Sequence, residues 1–375
     1  MVRVLTILSG LDGGGVENIL LNYYQNMDRQ KVHIDFIVHS QHIGKIEDKF
    51  EKLGSKIYRV TPKTVSLKKN IVEIYRIMKD NQYDIVHSRM NVKGMTHLIT
   101  AWLCGIKVRM IHNHMAYVPK QGKMKYLTPP AKIICKLFAT HWLACSDAAA
   151  IDMFGEKAYK QGKAIVINNA IDAEKYDYNP ELRRSVRDEF NIRDEFVIGV
   201  VGRFHEQKNH KFMLKIFKEV VNKNKNVKLM LVGGGELDKE IHQWVDEYNL
   251  NDFAIFTGIR TDVPRLLQGM DIFVLPTLYE GFGNVFVEAQ AAGLKTIASL
   301  EGVPKSTKLT DLIEYVSLKE TPETWADIIL KYQDGYERKS QIEKIREAGF
   351  DVKKQSEVLQ NLYMNAYNDV VGKRN

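Results

Sequence analysis

The strongest constraint on the fold is a repeated alternation along the chain, in which short apolar, β-branched runs are separated by amphipathic stretches of helical length. The runs are Val2 to Leu8, Val32 to Val38, Asp84 to Ser88, Val108 to His112, Trp142 to Cys145 and Ala164 to Ile167. A polar, charged stretch from Asp172 to Glu195 interrupts them. The rhythm resumes with Val197 to Val201, Val227 to Val232, Ala254 to Thr257, Ile272 to Leu275, Lys295 to Ala298 and Ile313 to Val316. Parallel strands need crossovers that carry the chain back to the same end of the sheet, so the pattern predicts an α/β chain with parallel sheets. The interruption predicts two doubly wound, Rossmann-like domains, over residues 1–172 and 173–352, facing across a cleft. A length of 375 residues fits two cores better than one. The last helical pattern, Val352 to Val371, can pack on either domain, and the segment 353–375 is expected to return to the first. Ligands of doubly wound sheets sit outside the carboxyl ends of the strands, so the informative loops are those that follow strands.

Composition narrows the class. With 45% hydrophobic and 27% charged residues the chain reads as a soluble globular protein. No apolar run approaches the roughly 18 residues that span a bilayer. Val2 to Leu8 contains Arg3, is too short for a signal core and runs into Gly13-Gly14-Gly15, so it reads as a first strand. Cys104, Cys135 and Cys145 lack metal-ligand spacing and suit reduced thiols of a cytoplasmic protein. No Asp-x-Asp and no His/Cys/Asp/Glu cluster with metal spacing occurs, so neither a metal nor another cofactor is expected. The net charge of +8 suits an anionic partner, and it is uneven. From Lys107 to Lys136 the charged residues are Lys107, Arg109, Lys120, Lys123, Lys125, Lys132 and Lys136, with no acid among them.

Three segments carry chemistry. Gly13-Gly14-Gly15 follows the first strand and precedes a helical pattern, where glycine admits close backbone approach and a helix start favours an anion; a plain tight turn reads equally well. Gly202-Arg203-Phe204 and Lys208-Asn209 place two cations after the first strand of the second domain, which read either as a grip on a leaving diphosphate or as a solvated loop. The richest segment is Pro276 to Gly293, PTLYEGFGNVFVEAQAAG. Asn284 is the expected N-cap of a helix that Gly293 ends. Glu280 then lies in the loop and Glu288 about one turn inside the helix, while Gly281 and Gly283 let Phe282 and Asn284 turn amides toward an anion.

These segments resemble the family-4 retaining glycosyltransferases of GT-B fold, of the kind that builds exopolysaccharide or capsule. Glu280 to Glu288 matches the family's E-x7-E element, Arg203 and Lys208 its cation pair, and Gly13 to Glu17 its glycine-rich turn. Cys145-Ser146, the run Ile167 to Asp172 and Leu231 to Gly235 match weaker segments. The resemblance implies donor contacts from Gly14, Gly15, Arg203, Lys208, Phe282, Gly283 and Asn284, ribose contact from Glu288, and a sugar hydroxyl on Glu280. It gives the acceptor to the first domain and the sugar-nucleotide to the second, and places the base beside Gly258 and Ile259, and a histidine near the transferred sugar, His114 with His112 in reserve. Residues 112 and 114 share a side if the strand continues that far. Asn169-Ala170 departs from the family's Asn-Gly, and Glu301 to Lys305 lacks a usual acid.

The implied activity is hexosyl transfer from a nucleotide-sugar, a UDP-sugar by preference, to a glycan or lipid-linked acceptor at the inner face of the plasma membrane, with no nucleic acid partner. Charge on the leaving diphosphate is then met by Arg203, Lys208 and the helix after Gly283. The basic segment 107–136 interleaves charge with apolar residues and carries Pro129-Pro130, which can open a helix. It reads as a membrane-docking segment or as an ordinary basic surface helix. Rival readings are a GT-B sugar-nucleotide epimerase and a non-catalytic partner subunit. A nicotinamide dehydrogenase is disfavoured because neither strand-to-helix turn has G-x-G-x-x-G spacing.

Overall fold

The protein, seen here in a computed structural model, is described over residues 1–115 and 124–371, without the side chains of residues 124, 125 and 371. Two compact units form: Met1–Ile171 with the chain from Gly349 onward, and Asp172–Ala348.

In the first unit the elements are β1 (Val2–Leu8), α1 (Gly15–Asn26), β2 (Val32–Val38), α2 (Glu47–Lys52), β3 (Ile57–Arg59), α3 (Leu67–Asn81), β4 (Ile85–Ser88), α4 (Met95–Leu103), β5 (Val108–Asn113), α5 (Met124–Phe138), β6 (His141–Ala144), α6 (Asp147–Phe154), α7 (Glu156–Lys160) and β7 (Ala164–Val166). In the second they are α8 (Pro180–Glu189), β8 (Phe196–Val201), α9 (His210–Lys223), β9 (Val227–Val232), α10 (Asp238–Glu247), β10 (Ala254–Gly258), α11 (Val263–Gly269), β11 (Ile272–Leu275), α12 (Asn284–Ala291), β12 (Lys295–Ser299), β13 (Ile313–Val316), α13 (Pro322–Leu330) and α14 (Ile342–Glu347). A last helix, α15 (Val352–Val371), belongs to the first unit.

All paired strands are parallel, in the orders β3-β2-β1-β4-β5-β6-β7 and β10-β9-β8-β11-β12-β13. The periodicity of two along β1 explains why both faces must be covered. Val2, Val4 and Leu8 join the layer holding Leu20 and Tyr24 of α1 and Leu359 and Tyr363 of α15. Leu5 and Ile7 join Ile74 and Met78 of α3 and Ala101 of α4. Tyr23 Oη on α1 donates to Asn168 O and accepts from Ala170 N at 3.1 Å. Neither Asn169 nor Ala170 takes a positive φ, so alanine meets no strain where the resembled family has glycine.

The chain returns to the first unit through a parallel bridge between Ile171 and Asp351, and α15 then packs on α1. Its side chains reach the loop before β2 and the sheet: Gln360 Oε1 accepts from Asp28 N at 2.7 Å, and Tyr363 Oη lies 2.7 Å from His87 Nδ1 of β4. In both units the order of strands reverses beside the first strand, between β1 and β4 and between β8 and β11. At such a reversal successive crossovers leave in opposite directions, and a crevice opens between the two loops that follow those strands.

Candidate functional site

In the second unit the reversal brings together residues that are 72 apart in sequence. The fully buried run of β8 ends at Val201 and delivers Gly202 to Asn209; β11 delivers Pro276 to Gly283. The two loops are joined by backbone and side-chain hydrogen bonds. Leu278 N donates to Gln207 O at 2.8 Å, Thr277 Oγ1 to the same oxygen at 2.9 Å, and Asn209 Nδ2 to Pro276 O at 3.1 Å. Within this frame Lys208 Nζ sits 2.7 Å from Glu280 Oε1, and the same oxygen accepts from Thr277 Oγ1 at 2.9 Å. Glu280 is 9% exposed, so the pair is largely out of water. Such a pair holds its geometry firmly but contributes little net stability, because desolvation offsets the attraction.

Arg203 behaves differently from its expected partner: it is exposed and makes no hydrogen bond or ion pair with any described residue. Phe204 beside it is buried and anchors the loop, with its amide on Gly234 O at 2.9 Å and its ring edge-on to His210. The loop of Gly233 to Gly235 closes tightly over this anchor, since a Cβ on Gly233 would fall 2.0 Å from Gly202 O. Ile259, 62% exposed, lies across Gly234, and Gly258 O accepts from Gly233 N at 3.0 Å. The proposed base-binding residues therefore share a rim with Gly202 to Lys208.

The helix start is corrected by one residue. Gly283, not Asn284, is the N-cap of α12, at φ 88° and ψ 62°. This left-handed backbone is open to glycine, and a Cβ there would also lie 2.8 Å from the Phe286 ring. Asn284 becomes the first helical residue, Phe282 is buried behind it with its carbonyl taken by Thr307 Oγ1 at 2.7 Å, and Gly293 follows the helix at φ 70°. Glu288 is half-buried and hydrogen-bonded to Tyr176. Burial raises its carboxyl to about 7, against the lowering effects of the Tyr176 hydrogen bond and of Lys208's charge. Lys208 thus acts on both acids of the segment. Burial, with Lys208 adding to it, likewise lowers His210 to about 4. Tyr176 was not legible as a site residue; it lies inside the charged stretch that separates the two strand series.

Gly14, Gly15 and His114 belong to the first unit. Gly14 caps α1, and its amide donates to the carboxylate of Glu17, so an acid of the chain itself occupies the helix start where an anion was expected. His112 and His114 do share a side, with ring centroids 4.0 Å apart. His112 Nδ1 is 3.3 Å from His87 Nε2, and His114 N donates to Asn91 Oδ1 at 2.8 Å. Burial first, then neighbouring positive charge including Arg89, holds His87, His112 and His114 well below the usual histidine range, so all three are neutral imidazoles. Neutral rings suit hydrogen bonding to hydroxyls and do not suit proton donation at neutral pH.

The basic segment is less uniform than its sequence. Arg109 is spent on the carbonyls of Phe138 and Ile106, and Lys132 Nζ pairs with Asp152 at 2.9 Å. Lys120, Lys123 and the side chain of Lys125 lie outside the described residues. Pro129 and Pro130 do not open a helix, since both fall inside α5. What α5 and α4 do present is apolar: Tyr126, Leu127, Ile133, Leu137, Trp102 and Leu103 are all more than half exposed. No helix among the described residues is long and apolar enough to cross a membrane. Among them, too, no three His, Cys, Asp or Glu side chains converge as a metal site.

Known proteins share this fold. Residues 13–175 match the family described as Glycosyltransferase Family 4, and residues 183–348 match Glycosyl transferases group 1. Together the two doubly wound units define a GT-B enzyme, and the chain belongs to the glycosyltransferases that these two families describe. It is 29% identical to a putative glycosyltransferase, EpsF, of Bacillus subtilis, over 96% of both chains. It is 26% identical to the UDP-Gal:alpha-D-GlcNAc-diphosphoundecaprenol alpha-1,3-galactosyltransferase of Escherichia coli, over 80% of this chain and 78% of that one. The fold is that of Anabaena HepE in complex with UDP and glucose, with TM-score 0.73 and 18% identity over 100% of this chain and 99% of that one. It is also 30% identical to the capsular polysaccharide biosynthesis glycosyltransferase CapM of Staphylococcus aureus, over 52% of this chain and 50% of that one.

Proposed function

We propose that the enzyme moves a hexose or N-acetylhexosamine from a UDP-sugar, with retention at the anomeric carbon, to a glycan or lipid-linked acceptor at the cytoplasmic face of the membrane. The observation that carries this reading is the convergence of Lys208, Glu280 and Glu288 at the strand-order reversal of the second unit. The UDP held by HepE and the UDP-Gal donor and diphosphoundecaprenol acceptor in the name of the Escherichia coli relative support the choice of substrates.

In this mechanism the departing diphosphate is met by Lys208, by the unpaired Arg203 and by the amides after Gly283, all positioned before reaction. No divalent ion is required. Glu288 accepts from the ribose diol, Glu280 orients a sugar hydroxyl while it fixes Lys208, and His114 contacts the transferred sugar as a neutral imidazole. The acceptor oxygen bonds to the anomeric carbon on the face from which the phosphate oxygen departs. That phosphate oxygen takes the acceptor's proton. The exposed apolar surface of α4 and α5 rests on the membrane that carries the acceptor.

The test is UDP release across a panel of UDP-sugars, with and without a prenyl-diphosphate glycan acceptor and with EDTA present throughout. Acceptor-dependent release and an axial product linkage by NMR are expected. An inverted product, or turnover that stops with EDTA and returns with magnesium, would overturn the retaining or the metal-independent part respectively. Binding to anionic vesicles should fall in Leu127→Glu/Leu137→Glu; unchanged sedimentation would remove the membrane contact.

A further inference from the structure

The first unit has its own strand-order reversal, between β1 and β4, and the residue that follows β4 is Arg89. Its amide is fixed to Ile7 O at 3.0 Å, which holds the residue on the loop after β4, at the reversal where doubly wound sheets take ligands. Arg89 is 6% exposed. Its Nε and Nη2 are buried and carry no hydrogen bond with any described residue, and no described carboxylate pairs with it. Arginine keeps its charge in any protein setting, so this is a desolvated cation with donors to spare.

Its neighbours are polar but uncharged. They are Tyr23, His87, His112, His114 and Tyr363, the last of which is hydrogen-bonded to Arg89. His112 Nε2 and both ring nitrogens of His114 are likewise buried without a partner among the described residues. A buried cluster with this many unmet polar atoms around one cation is costly unless a ligand completes it. The ligand must be an anion, and the planar fork of Arg fits the paired oxygens of a phosphate. His114, the least buried of the group, marks the open side.

We propose that Arg89, with His112, forms a phosphate subsite in the first unit, beside His114, that binds the acceptor through its phosphate group. This rests on the glycosyltransferase reading, since it assigns the acceptor to that unit. The experiment is calorimetry on the full chain with saturating UDP, which fills the phosphate site of the second unit, using farnesyl phosphate and inorganic phosphate as probes. Farnesyl phosphate is expected to bind, Arg89→Met to weaken it at least about 10-fold, and Arg89→Lys to retain part of the affinity, while UDP affinity stays unchanged in both. Equal affinity for the two probes would support a site that reads phosphate alone; tighter farnesyl phosphate would support a lipid-linked acceptor. If the wild type binds neither probe, the subsite is refuted whether or not Arg89→Met folds. Full retention of both affinities in a folded Arg89→Met refutes it as well. A chain that neither binds UDP nor turns over any UDP-sugar would refute the proposed activity instead, and the probe titration without UDP would still decide the subsite.

Discussion

The two strand-order reversals of this enzyme have the same topology and opposite electrostatics. At β8 and β11 a half-buried lysine is held by a carboxylate of its own unit, with a second acid, raised to about 7, close by. At β1 and β4 a buried arginine pairs with no acid among the described residues, and three histidines around it stay uncharged. The first arrangement is internally balanced and must give up part of a salt bridge to take a diphosphate. The second is incomplete without a ligand. One fold therefore carries a cation matched by acids of its own unit at one reversal and a cation among neutral imidazoles at the other.

Breaking the balanced site should have the largest effect. Lys208→Ala leaves Glu280 buried without its counter-ion as well as removing a phosphate contact, so UDP-glucose affinity by calorimetry should fall by about 100-fold or more. Unchanged affinity would place the diphosphate elsewhere. Glu288→Ala should weaken UDP by about 10-fold, the loss of a charge-assisted hydrogen bond to ribose.

The same residue sets a pH dependence. Its carboxyl is raised from 4.5 to about 7, so the folded chain holds this proton more tightly than the unfolded chain does. The associated stability is complete below about pH 4.5 and is lost as pH rises through about 7. Ionisation over that upper range should tighten UDP-glucose, whose diester phosphates do not titrate there. Affinity measured from pH 6 to 8.5 should rise in the wild type and stay flat in Glu288→Gln; equal slopes would contradict the ribose role.

Two smaller changes sharpen the contrast. Thr277→Val removes one hydrogen bond from Glu280 without touching its charge, and should cost about 1 kcal/mol in thermal unfolding with a few-fold loss in donor affinity. Tyr363→Phe removes the hydroxyl between His87 and Arg89 and should cost a similar amount of stability while leaving UDP affinity intact. A donor defect in Tyr363→Phe would show that the two reversals are coupled.

Much of this was legible from the residues. Val2–Leu8, Val32–Val38, Val227–Val232, Ile272–Leu275 and Ile313–Val316 form strands with the bounds that their apolar, β-branched runs define. Both faces of these sheets are covered, so the signal is continuous. β3 escaped notice because it is a three-residue edge strand, Ile57–Arg59, only partly buried and ending on a charged residue. The segment Pro276 to Gly293 announced its loop and helix, but the cap fell on Gly283 because the turn needs a left-handed residue, which side-chain capping preferences do not reveal. Pro129 and Pro130 misled for a related reason, since helix context overrode the local rule. Arg89 was reachable by the argument that informative loops follow strands. Its sequence, Ser-Arg-Met, gives no sign that the guanidinium is buried. The partnership of Lys208 with Glu280 needed the strand order, which periodicity alone does not supply.

The return of the chain after residue 349 has an implication for synthesis on the ribosome. Tyr363, which completes the surroundings of His87 and Arg89, is translated long after the sheet it packs on, and the second unit is made in between. The nascent first unit must therefore wait with an uncovered apolar face on α1 and an unfinished polar cluster beneath it. A newly made polypeptide stalled before α15 would carry every residue of the donor-binding loops and yet expose a surface that chaperones recognise.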